Sequence, residues 1–321
     1  MRFAAKLVSA VIAIAISAST AEAAKLTVTQ YGRIIETLPW AVALEKGMFK
    51  DAGIDVDGIT AGSGGGTSLR NLLASELPVG EVSTSVAIAA QKTGLHLKII
   101  YAASNHIGEL AWAVKPDSGI NSINDLAGKK AAFTNPKSTT EVILRTALKK
   151  AGLTEKVEIL PLGGLGPALT ALSAGAVAAA PLVDPRMTTH AKDYKILFYG
   201  WQVYPQFTWA VGVTTEEFAA KHPDVVRKLV QIHRKAVEYV YAHRDEATAI
   251  YSKVWNVSLD EARAILPKYY DWRHWNAGAI SKDGLEASAE GMRLVGELNG
   301  PVDWQTLIDQ SYLDEDQRQP L

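Results

Sequence analysis

Two segments combine glycines, hydroxyls and a helix start in a way that suits an anion. Gly62-Ser63-Gly64-Gly65-Gly66 runs into Thr67 and Ser68, ahead of a helical pattern at Leu69, Leu72 and Leu73. Glycine lets a backbone approach a ligand closely, and the free N–H groups and dipole of a helix start favour negative charge. A tight turn with no ligand would use the same residues, and both readings stay open. The run lacks the closing Gly-Lys pair of a nucleotide-phosphate loop. Asn135 to Thr140 is the second segment. Ser138 and Glu141 have capping-box spacing, so the Ser138 hydroxyl can serve its own backbone and leave Thr139 and Thr140 for a ligand.

Other candidates are scattered. Gln30, Tyr31 and Arg33 follow the first apolar run, and Arg33 is either a planar fork for a carboxylate or sulfonate or a solvated surface charge. Ser85 adds a hydroxyl just before a helix expected over 86–92. Asp184 before Pro185 suits a helix cap, with Arg186 beside it as a second cation. Trp201, Tyr204, Phe207 and Trp209 cluster, with Trp112 apart from them. They either stack on an organic ligand or fill a core.

Enzyme signatures are missing. The chain has no His-Glu-x-x-His, no Gly-x-Ser-x-Gly and no cysteine. Its seven histidines are dispersed, with His233 and His243 on an expected surface helix, so neither a metal nor a cofactor is expected. A catalytic reading would have to rest on Glu36, Glu109 or Asp184.

The elements that must hold these residues alternate. Strands are expected at 25–30 and 54–59, then at 81–83 and 97–102, with helices between them. A second series has strands at 130–134, 157–160, 176–183 and 195–199, with helices after Ser138 and over 168–173. Ile54-Asp-Val56, a glycine loop, Leu69–Ala74 and Gly80-Glu-Val82 echo Val157-Glu-Ile159, a glycine loop, Leu169–Ala174 and Gly175-Ala-Val177. Such βα alternation predicts mainly parallel sheets covered by helices. From Thr214 the chain reads as helical, with capping-box pairs at Thr214/Glu217 and Ser258/Glu261, and the tail is expected to return to the first series.

The N-terminus sets an expected compartment. Arg2 and Lys6, the apolar run Leu7–Ile16 and Ala21-Glu22-Ala23 have the order of a cleavable secretory signal ending before Ala24. Without a cysteine no lipid anchor can follow it. Removing Arg2, Lys6 and Glu22 with the leader changes the formal charge from −1 to −2, which offers no basic footprint for nucleic acid.

In order and spacing the chain resembles the periplasmic substrate-binding components of nitrate/sulfonate/taurine-type ABC importers. Glu45-Lys-Gly-Met-Phe49, Gly53-Ile-Asp-Val56, Asp125-Leu-Ala-Gly-Lys129, Ala147-Leu-Lys-Lys-Ala-Gly152, His222-Pro-Asp224 and Ser311-Tyr-Leu313 carry the resemblance. It implies the α/β periplasmic-binding-protein type II fold, two lobes joined by two crossing strands with a ligand cleft between them. The crossings are expected near Leu110–Ala113 and Thr208–Gly212, with lobe 1 made of 24–110 and 212–321 and lobe 2 of 111–211. The resemblance further implies a monomer in the periplasm that passes a small organic anion or zwitterion to a membrane permease and performs no chemistry. Sulfonate, taurine-like, carboxylate and pyrimidine-precursor ligands all remain open. The alternatives are an exported enzyme on the same scaffold, such as a dehydratase, and a sensory ligand-binding protein. The chain departs from its relatives at Gly175-Ala-Val177, where many carry an acid.

Overall fold

A computed structural model describes residues 24–62, 65–136 and 138–321. The expected leader at 1–23, and Ser63 and Gly64 of the glycine loop, lie outside the described residues.

Ten strands form two α/β lobes. The first lobe is built on a five-stranded sheet of β1 (Ala24–Thr29), β2 (Val56–Gly62), β3 (Val79–Ser83), β4 (Leu97–Ser104) and β10 (Ala210–Thr215), in the order β2-β1-β3-β10-β4. The second lobe holds β5 (Ala111–Val114) between β8 (Ala180–Leu182) and β9 (Lys195–Tyr199). Beside them lies the parallel pair β6 (Lys130–Phe133) and β7 (Glu158–Pro161), bridged to this sheet at Ala131 and Ala179.

The expectation of mainly parallel sheets needs correcting. β1 pairs in parallel with β2 and β3, and β6 with β7, as βα units require. β10 is antiparallel to β3 and β4, and β5 to β8 and β9. Each of these two strands is the one that enters its sheet from the other lobe, so it runs against its neighbours.

The crossings are short and lie a few residues before the expected positions. Ala111–Ala113 and Ala210–Gly212 already pair as strands, because their apolar runs are buried in sheets. The chain therefore passes between lobes at 105–110 and 204–209. The two links are bonded to each other: Phe207 N–H donates to the Asn105 carbonyl at 3.0 Å and Thr208 Oγ1 to Asn105 Oδ1 at 2.6 Å.

Leu26 and Val28 of β1, Val79 and Val82 of β3 and Ile99 and Ile100 of β4 fill the first core. The helix Pro223–Ala242 lays Val226, Leu229, Val230 and Ala236 against it. His233 on the same face is buried, stacked on Tyr101 at 4.3 Å, not on the surface as expected. Thr214 is also buried, within β10. The cap of the helix Glu216–Lys221 is Thr215, whose hydroxyl accepts the Phe218 N–H. The helix Lys282–Leu294 touches both the Thr84–Lys92 and the Thr139–Lys150 helix, so the tail packs on both lobes. Among the described residues no helix is long and apolar enough to cross a membrane.

Candidate ligand cleft

A cavity of about 540 Å³ opens between the lobes, at the carboxyl ends of strands from both. That is where open α/β sheets place ligands. Thr29 and Gln30 reach it from the end of β1, Ser83 from β3, and Thr134 and Asn135 from beyond β6. Glu109, Leu110 and Trp209 of the two crossings also line it.

Four helices begin on the cavity among the described residues, Gly65–Leu73 and Thr84–Lys92 from the first lobe and Thr139–Lys150 and Leu165–Ser173 from the second. Gly66, Thr67 and Arg70 belong to the helix Gly65–Leu73, and Thr139 and Thr140 to the helix Thr139–Lys150, which Ser138 caps. On the first side Gly62 is required by close approach. A Cβ there would lie 2.0 Å from Ser68 Oγ and 2.8 Å from Ser68 N, so a side chain would displace the helix start. The Thr29 hydroxyl stands 2.7 Å from that of Ser68, which ties β1 to the same helix. On the second side the Ser138 hydroxyl accepts the Glu141 N–H, and Thr140 Oγ1 accepts the Thr134 N–H at 2.9 Å. Thr139 makes no side-chain hydrogen bond among the described residues, which leaves its hydroxyl to the cavity.

Arg70 supplies the charge that the sequence reading overlooked. Its guanidinium donates to Thr67 Oγ1 at 3.1 Å and makes no ion pair among the described residues. The signal was available, since residues three apart share a helix face and Thr67 was already a candidate. Positive helix ends from both lobes and one arginine around one cavity favour an anion. Val86, Leu165, Val183 and the half-buried Trp209 give it an apolar wall for an organic body.

Of the predicted site residues, Gln30, Gly66, Thr67, Ser85, Ser138, Thr139 and Thr140 line the cavity, while Gly65 is placed as the first residue of its helix. Five others do not line it. Tyr31 packs half-buried on the first core, and its hydroxyl is pushed up to about 12 by burial and by the nearby Glu45 charge. Arg33 and Arg186 are solvent-exposed side chains. Tyr204 is buried against Phe207, with its hydroxyl 3.0 Å from Thr146 Oγ1. Asp184 is buried and well partnered: Oδ1 accepts from the Thr188 N–H and hydroxyl, and Oδ2 accepts from Tyr269 Oη at 2.7 Å and makes an ion pair with Lys268 Nζ at 2.6 Å. Trp112 is likewise core, stacked on Phe198 with its indole N–H on the Ala132 carbonyl.

At the cavity floor, where Glu109 belongs to the lining, lies a buried polar cluster. Glu109 Oε2 accepts the Ile35 N–H at 2.9 Å, and Glu36 Oε2 lies 3.3 Å from Trp209 Nε1 and 3.2 Å from His274 Nε2. Burial pushes both carboxyls up to about 8 and the imidazole down to about 4. Both acids are therefore mostly protonated at neutral pH. Among the described residues no group of three His, Cys, Asp or Glu could hold a metal.

Residues 35–247 match the family described as NMT1/THI5 like. A putative aliphatic sulfonates-binding protein of Bacillus subtilis (strain 168) is 30% identical over 225 residues, which are 67% of this chain. The match spans 66% of that protein's own length, just short of two thirds. Among solved structures, the periplasmic aliphatic sulphonate binding protein SsuA from Escherichia coli is 18% identical. It superposes with a TM-score of 0.74 over 91% of this chain and 93% of its own. The desulfurization enzyme DSZB is 16% identical, with a TM-score of 0.66 over 90% of this chain and 97% of its own. At such identities the two structures establish the fold alone, that of a two-lobed periplasmic binding protein. The family match takes in well over half of the sequence, and the chain belongs to the NMT1/THI5-like family.

Proposed function

We propose that this chain is the exported binding component of an ABC importer that captures a small organic anion, with a sulfonate as the first choice. The carrying observation is the convergence of helix N-termini from both lobes on one cavity, with Arg70 beside them. The name of the Bacillus relative supports the sulfonate, and the apolar wall supports an organic body attached to it. Lobe 1 is taken as 24–104 with 210–321 and lobe 2 as 111–203, with the links 105–110 and 204–209 between them. The protein works as a monomer, delivers its ligand to a membrane permease and returns it chemically unchanged. The DSZB likeness marks the fold as able to carry catalysis, but Glu109, the one acid on this cavity's lining among the described residues, is 2% exposed and bonded to the Ile35 N–H, poorly placed for proton transfer to a ligand.

Thermal-shift measurements with ethanesulfonate, 2-aminoethanesulfonate, acetate and nitrate test the ligand class. Ethanesulfonate or its amino derivative is expected to raise the melting temperature most. Arg70→Ala should weaken that binding by about 10- to 100-fold, the worth of a hydrogen bond to a charged group. No stabilisation by either sulfonate, or full affinity in Arg70→Ala, would count against the proposal.

Export is proposed from the leader pattern at 2–23. Mass spectrometry of native soluble protein should find Ala24 at or near the N-terminus. Intact Met1 on that protein would contradict export by cleavage.

A further inference from the structure

Both crossings are fastened to the same short turn. Ile35–Thr37 is a single 3-10 turn in the first lobe, and its first two residues receive one crossing each. The Ile35 N–H donates to Glu109 of the outward link, and the Glu36 carboxylate oxygen meets the indole N–H of Trp209 on the return link. Trp275 Nε1 in turn donates to the Ile35 carbonyl at 2.9 Å and holds the turn from behind.

The groups at this junction are under-bonded. Glu36 is 3% exposed, Glu109 2% and His274 0%. Among the described residues Glu36 Oε1, Glu109 Oε1 and His274 Nδ1 have no hydrogen-bond partner, and His274 Nε2 meets only Glu36 Oε2, at 3.2 Å. Buried polar atoms are almost always paired, so three orphans on three adjoining titratable side chains call for an explanation. A role in packing alone does not provide one, because apolar residues would fill the space at less cost.

We propose that Glu36, Glu109 and His274 form a proton-operated latch, which holds the crossings on the Ile35–Thr37 turn while its carboxyls are protonated and admits water and lets the lobes part when they ionise. The proposal goes beyond ligand capture and rests only on the two-lobe reading.

The sign follows from hydration. A dry cluster holds the carboxyl protons up to about pH 8, whereas a hydrated one releases them near the ordinary glutamate range. Rising pH therefore favours the hydrated form until about pH 8 and no further. His274 acts in the opposite sense, since burial depresses it to about 4, but its contribution is complete by about pH 6.5. His106, whose ring sits 6.2 Å from that of His274 and is also held down to about 4, behaves alike. Glu81, buried and raised to about 8, faces Glu36 from β3 and adds to the carboxyl side. Tyr241, Tyr251 and Tyr269 surround the cluster, and burial raises all three, so they stay neutral throughout. The operating window is about pH 6.5 to 8. Across it each carboxyl that becomes hydrated shifts the open-to-shut ratio by about thirtyfold, at tenfold per pH unit.

The cysteine-free chain makes the test clean. Cysteines introduced at the exposed Glu76 and Glu155, one in each lobe, accept a spin-label pair, and the inter-lobe distance is followed in unliganded protein from pH 6 to 9. The distance should lengthen between pH 6.5 and 8, and Glu36→Gln and Glu109→Gln should each shrink that response. A wild-type distance that ignores pH, or an undiminished response in both variants, overturns the latch. Should neither variant fold, the wild-type series alone decides. Shortening by ethanesulfonate without any pH response would sink the latch and leave capture standing. A pH response without shortening by any sulfonate would do the reverse.

Discussion

Replacing Asp184 with alanine is expected to lower the unfolding free energy by about 3–5 kcal/mol while leaving ligand affinity of the folded protein within a few fold. The carboxylate is 2% exposed and has two partners on each oxygen, three hydrogen bonds and one ion pair. Two of the hydrogen bonds come from Thr188 of its own lobe, while the third, from Tyr269, and the ion pair, with Lys268, come from the helix Pro267–Asp271, which packs with the first lobe's helices. Deleting it strands a buried hydroxyl, a backbone N–H and a lysine whose side chain is only partly exposed. A buried charge pair broken on one side loses far more than a surface pair would. Urea unfolding of Asp184→Ala, with calorimetry on the folded protein at low temperature, separates stability from binding. A variant that unfolds like wild type but no longer binds a sulfonate would return Asp184 to the ligand site.

That residue illustrates what the sequence could and could not disclose. Strand and helix order were legible because apolar runs such as Leu97–Ala102 and stops such as Gly47, Gly53 and Gly152, all at positive φ, act locally. The Ser258–Glu261 capping box formed as its spacing suggested. The Thr214–Glu217 pair did not, because Thr214 was claimed by β10, where its hydroxyl donates to the Pro78 carbonyl at 3.0 Å. Strand direction was illegible for a similar reason. It is decided by which lobe the chain has just left, and that is not written in β5 or β10.

The cleft was half legible. Helix-start segments could be named from glycines and hydroxyls, since those act on their own backbone. Tyr31, Arg33, Asp184, Arg186 and Tyr204 were drawn from neighbours in sequence, and the fold turns them to solvent or core. Arg70 is marked in sequence only by its place three residues after Thr67, which the helix turns into a shared face. The Glu36–Glu109–His274 cluster draws on positions 36, 109 and 274, and only the fold brings them together.

The central claim is capture of an organic anion by closure of two lobes, and X-ray scattering with and without ligand tests it most directly. The cavity is walled by both lobes, so a ligand that touches Thr67 or Arg70 and also Thr139 makes all its contacts only when the walls approach. Two short links bonded to each other at Asn105 and Thr208 permit hinge motion with little change inside either lobe. Ethanesulfonate at about 100 times its dissociation constant should add about 2.7 kcal/mol to stability by mass action. At the same concentration the radius of gyration should fall, and Arg70→Ala should need correspondingly more ligand for the same change. A raised melting temperature with an unaltered scattering profile of an open form would contradict closure and confine the ligand to one lobe.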